Sequence, residues 1–185
     1  MVAELVQYIK SSAIDRADAQ ALLAGIMLDT KNFVLKTGVR TFEASAYLRR
    51  RGADTVSVKK LFSNTLDSYK RKAQLVSGAE IYKECAIATS SWEFDDLRVA
   101  SAQAADELLS IQGVKASFVL YKVGGDVSIS ARSLGDVNVQ LILEEFGGGG
   151  HFTMAGAQIK NVSMGEARRR LIRALDDRLE ETTVN

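Results

Sequence analysis

The 185-residue sequence contains no proline and only one each of cysteine, histidine and tryptophan. A single cysteine, Cys85, excludes an internal disulfide. It also has no partner at metal-ligand spacing, which suits a reducing compartment. The simplest interpretation is that Cys85 is a small core residue of the strand-like segment "ECAIAT".

Long apolar runs are also absent. The longest uncharged one, Ala21 to Leu28, falls far short of the roughly 20 residues that span a bilayer. The first residues, "MVAELVQYIK", carry Glu4 early and lack a basic region followed by an apolar core, so they do not resemble a secretory signal. With 46% apolar and 25% charged residues, the composition is typical of a packed soluble protein, and we expect a cytoplasmic domain.

A strong overall charge is lacking too, because the formal net charge is only +1. The charges are unevenly distributed, however: residues 1–83 carry 14 Lys and Arg against 8 Asp and Glu, whereas residues 84–185 carry 10 against 15. This asymmetry indicates two modules. It argues against binding of duplex nucleic acid, which usually requires a clearly basic domain, and leaves a small anionic ligand open.

Without proline, element boundaries must be read from glycine, polar clusters and changes of hydrophobic period. In the first part, the sequence predicts a helix from Asp15 to Leu28 and a short strand at "FVLKTG". A second helix is predicted from Thr41 as N-cap to Gly52 as C-cap. From Leu66 onward, apolar residues recur every three or four positions, which predicts a long helix that links two modules.

Beyond Lys83 the hydrophobic period changes, and the predicted order is strand, helix, two strands, helix, strand, helix. The two adjacent strands, "ASFVLYKV" and "DVSISARS", are joined at the turn-forming "GGD". This order predicts an α/β chain of the α+β type, in which a mixed sheet is layered with helices.

The most unusual segment is the run Gly147 to Gly150, followed by the only histidine, His151. A flexible linker is one interpretation, but only 35 residues follow the run, too few for an independent domain. The functional interpretation is a backbone that turns successive N–H groups toward an anion, since glycine permits positive φ and close approach. On this interpretation, a Cβ at Gly149 would hinder a positive φ, and His151 would donate to a phosphate oxygen.

Arg132 and Ser133 end a predicted strand whose following helix leads back to the glycine run. The planar guanidinium of arginine suits a phosphate and can also stack on a base. The structural alternative is a rim arginine paired with Asp126 or Asp136.

These residues carry a family resemblance. The segment "ISARSLGDVNVQLILEEFGGGGHFTMAGAQI" resembles the DHH-associated domain of DHH-family phosphoesterases. "ALLAGIMLDTKNF" and "TGVRTFEASAYLRRRGADT" resemble the later part of the DHH catalytic domain in GdpP-like cyclic-di-AMP phosphodiesterases. The resemblance implies residues 1–64 as the C-terminal part of a catalytic domain, 65–82 as a linker helix and 83–185 as the DHH-associated substrate-binding domain.

The resemblance also implies chemistry. In that family, two manganese ions activate a water that attacks the phosphodiester of cyclic-di-AMP or a related adenine dinucleotide. Asp29 matches a metal-ligating aspartate, although an aspartate that ends a helix is more often a cap or loop residue. The implied substrate-binding residues are Arg132, Ser133, Asn138, Gly147, Gly148, Gly149, Gly150 and His151.

Two motifs of the family are missing from this sequence, a His-x-Asp-x-Asp and the Asp-His-His that gives the family its name. One aspartate cannot build a dinuclear site. We therefore expect the C-terminal part of a larger enzyme, inactive by itself, whose parent carries the missing DHH segment and N-terminal membrane helices. The alternatives are a nucleotide- or RNA-end-binding module of a RecJ-like or oligonucleotide-degrading exonuclease, and a structural domain. A homodimer contact along the closing helix is also left open.

Overall fold

The computed structural model describes residues 1–9, 14–35, 37–92 and 96–183, with side chains through Arg178. The chain divides into two compact units, Met1–Asn64 and Thr65–Asn185. Over the described ranges, no helix combines the length and hydropathy needed to cross a membrane.

The described part of the first unit is helical, and two of its helices begin at an aspartate cap, Asp15 in one and Asp54 in the other. The carboxylate of Asp15 accepts from the N–H of Asp18 at 2.9 Å, and Asp18 accepts from the N–H of Asp15 at 3.2 Å. This reciprocal pair satisfies two N–H groups that a helix start leaves without partners. The helices are α1 (Val2–Ile9), α2 (Arg16–Asp29), α3 (Val39–Arg50) and α4 (Thr55–Leu61).

Two predictions for this unit are wrong in detail. In place of a strand at "FVLKTG", Lys31, Asn32 and Phe33 have φ of 48°, 57° and 66°, so the chain coils into a turn. Lys36 lies outside the described residues. Helix α3 begins two residues before Thr41, with Gly38 as N-cap, and its C-cap is Arg51, with the predicted Gly52 one residue later at φ of 95°. Thr41 Oγ1 accepts from the N–H of Gly38 at 3.4 Å.

In its described residues, the second unit contains a six-stranded mixed sheet and four helices, which confirms the predicted fold class. Neighbouring strands follow the order β1-β2-β3-β4-β6-β5. Strands β2 and β3 are parallel, and every other neighbouring pair is antiparallel. The elements are α5 (Leu66–Ser77), β1 (Glu80–Tyr82), β2 (Cys85–Ser90), α6 (Leu97–Leu108), β3 (Ala116–Val123), β4 (Asp126–Ser133), α7 (Val139–Glu144), β5 (Gly149–His151), β6 (Met154–Ile159) and α8 (Met164–Thr183).

The central hairpin has the predicted boundaries, with Val123 paired to Asp126 across the turn. The sequence did not predict β1 and β5, because three residues are too few to show an alternating pattern.

Helices cover the two faces of the sheet unequally. On one face, Phe118, Leu120 and Ile129 pack with Leu171 and Leu175 of α8 in a continuous core that α7 also joins. On the other face, α5 and α6 cover β2, β3 and part of β4 through a smaller cluster. The remainder of this second face, over β4, β6 and β5, is where the candidate site lies.

Candidate functional site

Strand register brings the candidate residues together in rows. On β4, Ser128, Ser130 and Arg132 share one face because side chains alternate along a strand. Arg132 is opposite Met154 of β6, which is opposite His151 of β5. Paired residues on adjacent strands point to the same side of a sheet. Arg132, Met154 and His151 therefore form one row across three strands.

This face forms the floor of a cleft of about 1120 Å³, bounded on one side by the first turns of α6. The cleft brings together six of the predicted site residues, namely Arg132, the run Gly147–Gly150 and His151. It does not include the other two predicted residues of this unit, Ser133 and Asn138.

The guanidinium of Arg132 is oriented by the protein. Its side chain is only 13% exposed, Nε donates to Asp106 Oδ1 of α6 at 3.1 Å, and Nη1 donates to the carbonyl of Ala131 at 2.8 Å. The predicted structural alternative was a pair with Asp126 or Asp136, and the structure shows Asp106 instead. Nη2 makes no hydrogen bond to any described residue, so one end of the fork keeps free donors.

Ser133 and Asn138 stabilise the backbone beside the cleft. Ser133 is buried, and its Oγ accepts from the N–H of Gly135 at 3.0 Å and of Val137 at 3.3 Å. Asn138 is the N-cap of α7, where its Oδ1 accepts from the N–H of Gln140 at 3.1 Å. Both hydrogen-bond sets are those of ordinary turn and cap residues.

The glycine run is neither a linker nor a simple cradle of inward N–H groups. The N–H of Gly147 donates to Glu144 O and that of Gly148 to Leu143 O, both at 2.9 Å, so these two groups end helix α7. Gly149 and Gly150 then enter the edge strand β5. The run is thus built into the fold, and its first two N–H groups are already used.

Close approach to β6 explains why glycine is needed within the run. A Cβ at Gly148 would lie 2.6 Å from Ala157 Cβ, and one at Gly150 would lie 2.6 Å from Ala155 Cα. Gly150 also has φ of 152°. At Gly149 the expectation of a positive φ is wrong: its φ lies outside that region, and a Cβ there would meet nothing within 4 Å.

His151 is exposed at the cleft margin, and its imidazole makes no hydrogen bond to a described residue. Arg98, in the first turn of α6, also lines the cleft without an ion pair to the described part of the chain. The cleft therefore offers at least two cationic or donor groups besides Arg132. Sequence reasoning missed Arg98 because a single arginine near a helix start has no distinctive pattern.

Sequence reasoning also missed the polar floor of the cleft, formed by Ser128, Ser130, Gly156 and Gln158. The signal was present in "DVSISAR", where a serine or arginine occupies every second position of an otherwise apolar strand. Such alternation indicates a strand with one polar face.

The described residues do not fit a dinuclear metal centre. Asp29 is exposed at the end of α2. Within the described ranges, no group of three or more His, Cys, Asp or Glu side chains is placed to hold a metal ion. No step that depends on a metal can therefore be assigned to these residues.

Comparisons with known proteins agree with this geometry. The family model of the DHHA1 domain matches residues 83–181. The chain is 49% identical over 184 residues to cyclic-di-AMP phosphodiesterase GdpP of Geobacillus thermodenitrificans, and 48% identical over 186 residues to GdpP of Bacillus subtilis. It is 44% identical over 179 residues to cyclic-di-AMP phosphodiesterase PdeA of Listeria monocytogenes.

These matches cover 95–97% of the chain but only 27–28% of the relatives' own length. A solved structure of an exopolyphosphatase-related protein from Bacteroides fragilis has the same fold, with a TM-score of 0.85 at 23% identity, over 95% of this chain and 55% of that one. The family match spans strands β2 to β6, the glycine run and the cleft described above. The chain belongs to the DHHA1 domain family.

Proposed function

We propose that this chain supplies the substrate-binding cleft of a cyclic-di-AMP phosphodiesterase, in which Arg132 and His151 hold the phosphodiester. The observation that carries the proposal is the row of Arg132, Met154 and His151 across β4, β6 and β5. Three neighbouring strands span about 10 Å. An anion above Met154 would therefore meet a guanidinium on one side and an imidazole on the other.

The chemistry of this row favours a phosphodiester. Asp106 and the Ala131 carbonyl fix two nitrogens of the Arg132 guanidinium, so less side-chain freedom is lost when a ligand binds. Hydrogen bonds between arginine and phosphate are charge-assisted and therefore strong. The names of the relatives support the same substrate, since GdpP and PdeA are both cyclic-di-AMP phosphodiesterases.

Hydrolysis itself is outside the proposal for this chain. The residues that the structure describes lack the ligands for two manganese ions. We propose that this part binds and orients the dinucleotide, while residues of a longer protein would supply the metal-activated water.

Calorimetric titration of the chain with cyclic-di-AMP tests the proposal. Arg132→Ala is expected to weaken binding about 10- to 100-fold, because charge-assisted hydrogen bonds are worth about 1.5–3 kcal/mol. His151→Ala is expected to weaken it by a smaller factor, and His151→Gln should restore part of the loss by returning a donor. The same samples supplied with manganese should leave the dinucleotide intact.

A matched control is Arg169→Ala, which removes the same charge from α8, where Arg169 pairs with Glu166 outside the cleft. Equal affinity in Arg132→Ala and Arg169→Ala would show that the cleft is not the binding site. Tighter binding of a short oligoadenylate than of cyclic-di-AMP would favour an exonuclease-type module instead.

A further inference from the structure

The floor of the cleft continues away from Arg132 as a polar surface. Four residues before Arg132 on β4 lies Ser128, which is opposite Tyr121 of β3 and Gln158 of β6. Four strand residues span about 13 Å. Tyr121, Ser128 and Gln158 therefore form a second row, and Ser130 lies between this row and that of Arg132.

The hydroxyls of two serines line the cleft without a protein partner in the described part of the chain. Ser128 and Ser130 are 8% and 9% exposed, and neither hydroxyl makes a hydrogen bond to a described residue. Serines elsewhere in the same strands are satisfied: Ser117 donates to Ala105 O at 2.6 Å beneath α6, and Ser133 accepts two N–H groups. Hydroxyls that face a cleft without a protein partner are available to donate to and accept from a ligand.

The other two residues of this row, Gln158 and Tyr121, each keep a polar group available for a ligand. Gln158 Nε2 donates to Asp126 Oδ2 at 2.9 Å, which leaves the amide oxygen of Gln158 as an acceptor. Asp126 also accepts from the N–H of Asn161 at 3.0 Å. That backbone bond, and then the Gln158 amide, hold the pKa of the Asp126 carboxyl below its usual range. The Tyr121 ring is nearly buried, and its hydroxyl makes no hydrogen bond with the described part of the chain.

We infer that Tyr121, Ser128, Ser130 and Gln158 form a subsite for a nucleobase, with an adenine-like ring as the class of ligand. The inference rests on the proposed function, because it places the base beside a phosphate held at the row of Arg132. The four residues contribute hydroxyls, an amide oxygen and an aromatic ring, and among the described residues Lys122, next to Tyr121, is the single cation of the cleft lining at this end. Such hydroxyl and amide groups match the mixed donors and acceptors on the edge of a purine, whereas a second phosphate would call for several cations.

The test compares AMP with ribose 5-phosphate, which shares the phosphate and sugar but lacks the base. Both are titrated into the 185-residue chain, with affinity measured from NMR chemical shifts. Ser128→Ala and Gln158→Ala are each expected to weaken AMP binding about 3- to 10-fold, the range for one lost neutral hydrogen bond, and to leave ribose 5-phosphate binding unchanged. Arg132→Ala should weaken both ligands.

Matched controls lie outside the cleft in the same unit. Ser77→Ala removes a hydroxyl that donates to Gln74 O on α5, and Gln140→Ala removes an amide that donates to Glu144 on α7. Neither control should change the affinity for AMP. Thermal unfolding gives a second measurement: Ser128→Ala should not lower the melting temperature, because it removes an unpaired hydroxyl, whereas Ser117→Ala should lower it.

The possible results distinguish a failure of the subsite inference from a failure of the proposed function. If the wild-type chain binds neither AMP nor cyclic-di-AMP, the proposed function is wrong and the subsite is overturned with it. If cyclic-di-AMP binds and depends on Arg132, but Ser128→Ala and Gln158→Ala bind AMP like the wild type, only the subsite is overturned. An equal loss for AMP and ribose 5-phosphate would assign these residues to sugar or phosphate and would also overturn it.

Discussion

The two units of the chain differ in how much large apolar side chain they bury. Among the described residues of 1–64, the buried cluster has ten members, five of which are alanines. In residues 65–185, two clusters of eighteen and nine members cover both faces of a sheet. Among the described residues, twelve large apolar side chains are exposed in the first unit, against eleven in the second, which is nearly twice as long.

The difference in buried apolar side chains affects both the expected stability of each unit and the rigidity of the scaffold that carries the candidate site. Small units bury a smaller fraction of their surface and are correspondingly marginal. Alanine contributes little buried area per residue, whereas Phe118, Leu120 and Leu171 fill the larger core. The candidate ligand-binding groups Arg132 and His151 lie on strands of the unit with the larger core, where a rigid scaffold can hold them in position.

The largest expected effect is a difference in hydrogen exchange. Amides of β2, β3 and β4 should exchange at least about 100-fold more slowly than those of α2 and α3, because core strands open with free energies near the global value. Phe118→Ala should cost about 3–5 kcal/mol and accelerate exchange throughout the sheet. Exchange resolved by mass spectrometry measures both effects.

The matched variant in the first unit is Leu48→Ala, since Leu48 is fully buried there. It should accelerate exchange of α2 and α3 more than that of the sheet. Equal protection from hydrogen exchange in the two units of the wild-type chain would contradict the expected difference in their stability.

An intermediate effect is expected from a methyl group placed at two neighbouring glycines. Gly150→Ala should destabilise the second unit by about 1–3 kcal/mol, because its φ of 152° is strained for alanine and the new Cβ would clash with β6. Gly149→Ala should change stability by less than about 1 kcal/mol, since its Cβ would meet nothing within 4 Å. Urea unfolding curves measure both.

The two variants, Gly149→Ala and Gly150→Ala, also test whether the fold constrains the glycine run. If Gly150→Ala were as stable as Gly149→Ala, the run would behave as a flexible linker and the edge strand β5 would not constrain it. The first unit serves as an internal reference, because exchange of its amides should be unaffected by either substitution.

The sequence predicted the sheet of the second unit better than the geometry of its site. Strand β4 alternates polar and apolar residues and strand β3 is a mostly apolar run, so their boundaries follow from pattern and turn chemistry alone. Strand β5 could not be found, because three residues of glycine and histidine have no apolar period. Strand β5 forms a tight hairpin with β6, and the long-range pairing of β6 with β4, in which Arg132 is opposite Met154, places His151 in the row of Arg132.

The predictions about individual site residues also differ according to whether the contacts of each residue are local or distant in the sequence. The guanidinium fork of Arg132 is local chemistry, but its partner Asp106 lies 26 positions away on another element and could not be read from neighbouring residues. Within the described residues, the side chains of Ser133 and Asn138 make only short-range hydrogen bonds, as those of turn and cap residues do. In the first unit, the turn at Lys31 to Phe33 requires positive φ at three consecutive non-glycine residues, which is uncommon. The conformational propensities of these residues therefore did not predict the turn.

The effect with the narrowest experimental window is a pH dependence confined to the second unit. Burial raises the pKa of the Cys85 thiol to about 11. In the unfolded chain the thiol ionises near its ordinary pKa of about 8.5. Between these values the unfolded chain has released a proton that the folded chain retains, so a rise in pH favours unfolding. Below this window the thiol is neutral in both states and contributes no pH dependence.

Stability should therefore fall more steeply with pH in the wild type than in Cys85→Ala as the pH rises from about 8.5 toward 11. Urea unfolding under reducing conditions, followed by fluorescence of the only tryptophan, Trp92, measures this in the second unit. Lysine and tyrosine titrations are common to both proteins and cancel in the difference. The first unit contains no cysteine, so exchange of its amides should not distinguish the two proteins. A constant stability difference between pH 8 and pH 10.5 would mean that the folded chain ionises Cys85 as readily as the unfolded one, and the sheet around β2 would then be less closed than its buried side chains indicate.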